Sequence, residues 1–137
     1  IELKAEVVTF TSFIAQLIAD GKLKISKKAG SLTPQDTPIL ARDLEETQPM
    51  RDILASCGNV DEMLLNREYT MLAGNLIMNE YMPEVMKKVA ENRWINAKNA
   101  NAKVLVTASP AEYAILSTVK PEGIELKKIE EVVAECL

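Results

Sequence analysis

The stretch Val104-Leu105-Val106-Thr107-Ala108-Ser109-Pro110-Ala111-Glu112-Tyr113-Ala114-Ile115-Leu116 decides how this chain is read. Its first part is apolar and rich in β-branched residues, the right length for one buried strand and too short for a buried helix. Pro110 then pre-sets φ for a first helical turn. A strand over residues 103–108 running straight into a helix over residues 110–119 is the expectation. Ser109 and Glu112 have the residue types of a capping box, in which the serine oxygen accepts from the Glu112 amide and the glutamate reaches back to the Ser109 amide. The cap is the plainer role. Standing beyond a strand end, the same two side chains are also candidates for a ligand site.

Apolar runs and helical patterns alternate along the rest of the chain. Residues 5–10 predict a strand, and Thr11 or Ser12 then caps a helix with Phe13, Ile14, Leu17 and Ile18 on one face and Gly21 as terminator. After the basic stretch of Lys22, Lys24, Lys27 and Lys28, read as a solvated connector, Ser31-Leu32-Thr33 begins a second strand. A loop with Pro34 and Pro38 follows. Pro49 sits in the first turn of a helix carrying Met50, Ile53 and Leu54, which Gly58 ends. Residues 60–65 predict another strand, before an irregular stretch around Gly74 and Asn75. Pro83 opens the longest helix, to about residue 102, with Val85, Met86, Val89 and Ala90 as its buried stripe. Gly123 marks a turn, residues 124–129 a last strand or extended segment, and residues 130–137 a short helix.

Strands separated by helices of this length need right-handed crossovers, hence a mainly parallel sheet with helices on both faces. One α/β domain over residues 1–137 is expected. In open parallel sheets, ligands sit beyond the carboxyl ends of the strands. The loops at residues 35–42, 69–76 and 108–112 leave such ends and should converge. They supply the candidate ligand-binding residues Asp36, Arg42, Gly74, Asn75, Ser109 and Glu112. Asp36 and Arg42 are read first as an ion pair fixing their loop.

Composition limits the chemistry. The chain has 137 residues, 47% of them hydrophobic, enough for a real core. A net charge of −4 without a basic block argues against a nucleic-acid partner. No apolar run approaches ~18 residues, so no membrane span is expected. Residues 1–4, Ile-Glu-Leu-Lys, lack a signal-peptide layout, and a cytoplasmic protein is expected. The absence of an initiator Met suggests an excised domain or a processed start. There is no histidine, the commonest general base and metal ligand. Cys57 and Cys136 are far apart in sequence, and two thiolates do not complete a zinc or iron–sulfur site. Each is read as a small buried apolar residue, and no metal or cofactor is expected. Asp36, Glu68, Glu112 and Tyr113 remain as acids and bases, and no spacing among them selects a reaction. Met63, Met71, Met78, Met82 and Met86 are read as gap-filling core before adaptable surface. Trp94, if off the core stripe, would anchor a subunit contact.

Several segments in order resemble the cysteine-rich (CCG) domain of iron–sulfur subunits of heterodisulfide reductases and of glycolate, lactate and glycerol-3-phosphate oxidising enzymes. The opening, Glu6-Val7-Val8-Thr9-Phe10-Thr11-Ser12-Phe13-Ile14 through Gly21-Lys22-Leu23, is similar to the segment before the family's first cysteine motif. Gln35-Asp36-Thr37-Pro38-Ile39-Leu40-Ala41-Arg42 resembles a His-Asp-Pro-Cys-x-Leu-x-Arg loop, with Asp36, Leu40 and Arg42 matching and Pro38 on the cysteine. Pro49-Met50-Arg51-Asp52-Ile53-Leu54 resembles its Pro-Arg-x-Leu-Leu helix. Asn66-Arg67-Glu68-Tyr69-Thr70-Met71-Leu72-Ala73-Gly74-Asn75 takes the place of the Cys-Cys-Gly segment, with Met71 and Leu72 on the cysteine pair. Thr107-Ala108-Ser109-Pro110-Ala111-Glu112 resembles Thr-x-Cys-Pro-x-Cys, with Ser109 and Glu112 on the cysteines.

The resemblance implies a CCG-like scaffold from which every cluster-binding cysteine has been substituted. It implies a structural or docking module beside a flavin or iron–sulfur subunit of a redox complex, with self-association also open, and a chain that is the C-terminal part of a longer subunit. The alternative from another class is a small-ligand-binding protein or enzyme that reuses the strand-end loops. Such a protein would hold a polar or anionic ligand on the amides at Ser109 and on Arg42.

Overall fold

The structure, a computed structural model, describes residues 3–137. Among the described residues, four strands form one sheet: β1 (Ser31–Gln35), β2 (Asn59–Val60), β3 (Val104–Thr107) and β4 (Glu125–Lys128). Their order is β2-β1-β3-β4 and every pairing is parallel. The helices are α1 (Phe10–Ala19), α2 (Gln48–Cys57), α3 (Leu76–Tyr81), α4 (Pro83–Asn99), α5 (Pro110–Thr118) and α6 (Ile129–Cys136). A π-helical turn covers Ile39–Asp43 and a 3-10 turn Arg67–Tyr69.

Alternation along the strands splits the core in two. Leu32 of β1 and Val106 of β3 point to a face packed by Met50, Ile53 and Leu54 of α2 and by Val132 and Val133 of α6. Leu105 points the other way, against Ala90, Trp94 and Ala97 of α4 and Ile115 and Leu116 of α5. The protein is therefore an α/β fold with helices on both faces of a parallel sheet.

Several elements differ from the sequence reading, each for a physical reason. Residues 5–10 form no strand: none of them pairs with the sheet, and Phe10 already begins α1. The helix begins at Phe10, two or three residues earlier than a cap at Thr11 or Ser12 would start it. Thr9 is its cap, accepting from the Ser12 amide at 3.1 Å and donating to Glu46 at 2.7 Å. Pro34 lies inside β1 rather than after it, paired in register with Val106. β2 pairs only as far as Leu32, so the missing proline N–H interrupts no ladder on that side. The strand expected over residues 60–65 stops at Val60, and Leu65 turns left-handed at φ +57°. Asn75 caps a helix absent from the sequence reading, accepting from the Met78 amide at 2.9 Å. In α4 the buried stripe is Met86, Ala90, Arg93, Trp94 and Ala97, whereas Val85 is exposed. Trp94 is buried and donates Nε1 to the Leu116 carbonyl at 3.0 Å, so it belongs to the core and not to a subunit contact. The methionines divide: Met63 and Met86 are core, Met71 and Met82 exposed.

Candidate functional site

β1 and β3 end side by side, and register pairs Gln35 with Thr107 on the α4–α5 face. Both side chains are fully buried. An apolar face that turns polar in its last two residues must satisfy those groups internally. Arg93, 1% exposed, comes down from α4 onto the Gln35 amide oxygen with its Nε. Its two terminal nitrogens cap the carbonyls of Leu64 at 3.0 Å and Leu65 at 2.9 Å. Burial pushes the Arg93 pKa down to about 10, against the opposing charges of Glu112 and Asp36.

Glu112, also 1% exposed, enters from the first turn of α5. Its carboxylate accepts from the Ala73 amide at 3.2 Å and from Gln35 Nε2 at 3.3 Å, with Thr107 Oγ1 at 3.5 Å. Burial drives its pKa up to about 7, although the Ala73 amide, Gln35 and the Arg93 charge all favour the anion. Desolvation wins because these donors are long and Arg93 is spent mainly on carbonyls. Gln35 Nε2 also donates to the Met71 carbonyl at 3.2 Å, so a single amide touches both flanking loops.

The expected capping box is half realised. Ser109 Oγ accepts from the Glu112 amide at 3.3 Å, but the Glu112 side chain does not return to the Ser109 amide, which Thr107 Oγ1 takes at 3.1 Å. The carboxylate turns inward because Ala73 and Gln35 offer buried donors there.

Asp36 does not pair with Arg42. It accepts a two-pronged contact from buried Arg51 of α2, at 2.7 and 2.8 Å, and the Arg67 amide at 2.7 Å. Arg51 also holds Glu62 at 2.6 Å; burial alone would lower its pKa, but the two carboxylates outweigh it and hold it above the usual value. Arg42 is exposed and donates to the Thr70 carbonyl at 2.8 Å. Thr70 in turn donates to the Asp36 carbonyl at 2.7 Å. The loops 35–42, 69–76 and 108–112 are thus joined by side-chain hydrogen bonds. Gly74 packs against Ile115, where a Cβ would fall 2.4 Å from the isoleucine Cβ, so only glycine lets this loop approach α5. Arg67 takes φ +53°, a left-handed cost of about 1–2 kcal/mol that the bond to Asp36 helps offset.

The side chains at Pro38, Met71, Leu72, Ser109 and Glu112 supply one thioether, one hydroxyl and one carboxylate, and no thiolate. Cys57 and Cys136 lie in the core of the other sheet face. This donor set does not fit an iron–sulfur cluster. A hollow of about 330 Å³ beside the junction is lined by Phe10, Ala108, Pro110 and Glu130; Arg42, Ser109 and Glu112 do not line it.

Gln35, Arg51, Arg93 and Thr107 complete the cluster and were not among the sequence candidates. Only an arginine at the helical spacing of Met86, Ala90 and Ala97 hinted at Arg93. Comparison with family models, curated proteins and solved structures finds no match to the chain.

Proposed function

We infer that this chain is a cluster-free CCG-like domain, acting as a structural or docking module of a cytoplasmic redox complex of the heterodisulfide reductase and glycolate oxidase type. The observation that carries the reading is the Gln35 amide, which reaches the Met71 carbonyl and the Glu112 carboxylate together. Met71 and Glu112 are positions where the resembling family places cysteines. In this chain, loops that a cluster would cross-link are instead cross-linked by buried polar groups. Such cross-links would hold the scaffold in shape without metal, as a docking role requires. Ile39, Tyr69, Met71 and Ile77 stay exposed on or next to these loops, apolar surface suited to a protein partner such as a flavin or iron–sulfur subunit. Capture of a small anion is less well supported, since Arg42 is engaged by Thr70 and a buried carboxylate stands behind the Ser109 helix start.

The test is purification of the chain with its native partners, followed by identification of the subunits and by flavin, iron and sulfide analysis. A flavin or iron–sulfur subunit copurifying with a colourless chain is expected. Stoichiometric iron and sulfide on this chain after anaerobic reconstitution overturns the reading. So does a melting shift with small carboxylates or phosphate in a chain that has no protein partner.

A further inference from the structure

Away from the loop cluster, at the other end of the sheet, lies a pair of groups with a chemistry of their own. Cys57 is the last residue of α2 and Cys136 the last of α6. Both are fully buried in the same apolar cluster. One short connector holds both backbones. The Ala29 amide donates to the Cys57 carbonyl at 2.7 Å, while the Ser26 and Lys27 amides donate to the Cys136 carbonyl at 2.8 and 3.0 Å. Lys27 and Ala29 are two residues apart, at most ~7 Å of chain, so the two helix ends are pinned side by side. Both side chains enter one apolar core, so the two thiols are neighbours.

We propose that Cys57 and Cys136 are a dithiol site that closes to an intramolecular disulfide, with a low-molecular-weight disulfide as oxidant. The thiolate of one cysteine attacks the oxidant's disulfide, forming a mixed disulfide and releasing one thiol. The other cysteine's thiolate then attacks the protein sulfur and releases the second thiol. The two protein thiols lose two electrons and two protons, and the oxidant becomes two thiols. The product staples α6 to α2.

The surroundings set the rate as well as the outcome. Burial first, then the neighbouring Cys136, pushes the Cys57 pKa up to about 11, against Ser56 and Lys28. The thiolate is scarce at neutral pH, so reaction is slow and waits for the α2–α6 seam to open. A hollow of about 320 Å³ lined by Lys28, Gly30, Ala55, Gly58 and Asn59 adjoins the end of α2 and gives an oxidant its approach.

Equilibration of the chain with oxidised and reduced glutathione, then acid quench, alkylation and mass analysis, tests the site. Folded protein is expected to lose two hydrogens, with no glutathione adduct and no cross-linked dimer. Typical disulfide stabilisation implies a closure constant about 100-fold larger in native buffer than in denaturant. The oxidised chain should melt roughly 10 °C higher. Cys57→Ala and Cys136→Ala chains, small apolar replacements, should give only the mixed disulfide or unreacted thiol. A closure constant no larger in native buffer than in denaturant overturns the proposal, as does folded protein ending with free thiols or glutathione adducts.

Discussion

Gln35 and Glu112 meet inside the protein, amide to carboxylate at 3.3 Å, across 77 residues of chain. Each lies at the end of a strand or start of a helix, and each is almost wholly removed from water. The contact places a titrating carboxyl at the centre of the polar cluster, and its consequences are measurable.

Glu112 has a folded pKa of about 7 against an ordinary 4.5. Between those values the folded state binds more protons than the unfolded state, so this group's stabilisation is full below pH 4.5 and is lost as pH rises through 7. The expected loss is about 3 kcal/mol. Glu112→Gln does not titrate, so the stability gap between the two proteins should shift by that amount across the window. Denaturant titrations at several pH values check it, and parallel curves for both proteins would refute the buried-carboxyl assignment.

Asp36 and Arg42 should behave unequally. Asp36→Ala leaves buried Arg51 short of a partner and is expected to cost about 3–5 kcal/mol. Arg42→Ala removes an exposed donor and should cost about 1 kcal/mol or less. Equal losses in urea unfolding would favour an Asp36–Arg42 pair after all.

Gly74→Ala drives a methyl group into Ile115 and should cost about 1–3 kcal/mol. Ile115→Ala alone opens a cavity at about 2–5 kcal/mol. Ile115→Ala removes the Cγ1 and Cγ2 that would lie 2.8 and 3.0 Å from the new methyl but keeps the Cβ at 2.4 Å. Relief is therefore partial, and the double variant should be at least ~0.5 kcal/mol more stable than additivity predicts. Strict additivity in a double-mutant cycle would mean that the two residues do not touch.

Ser109→Ala removes the α5 cap and should cost about 1 kcal/mol, with Ser109→Asp close to wild type. Thermal and chemical unfolding measure both. A fully stable alanine variant would show that the cap contributes nothing.

Local patterns made much of this fold legible. Val104 to Thr107 could only be a buried strand, Ser109 and Pro110 started the next helix, and Gly21, Gly58 and Gly123 closed elements where chirality or close packing calls for glycine. Strand–helix alternation then required a parallel sheet, and a parallel sheet placed the loops 35–42, 69–76 and 108–112 at one end. Each of these inferences depends on neighbours within a few residues or on chain handedness, which the sequence carries directly.

Burial of charge was decided elsewhere. Arg93 sits on the core stripe of α4 because the Gln35 oxygen and the Leu64 and Leu65 carbonyls need donors there. Glu112 left its expected capping role because Ala73 and Gln35 offered buried donors. Asp36 chose Arg51 over Arg42 because α2 brings that guanidinium into a dry site, where a two-pronged contact is stronger than one in water. The strand forecast at residues 5–10 failed for the same kind of reason, since a strand exists only where another edge receives it. Residue order alone determined the strand Val104–Thr107, the helices on either side of it and the strand–helix alternation that makes the sheet parallel. Which polar groups would be stripped of water, and therefore which partners they had to find, was settled only when the strand ends met.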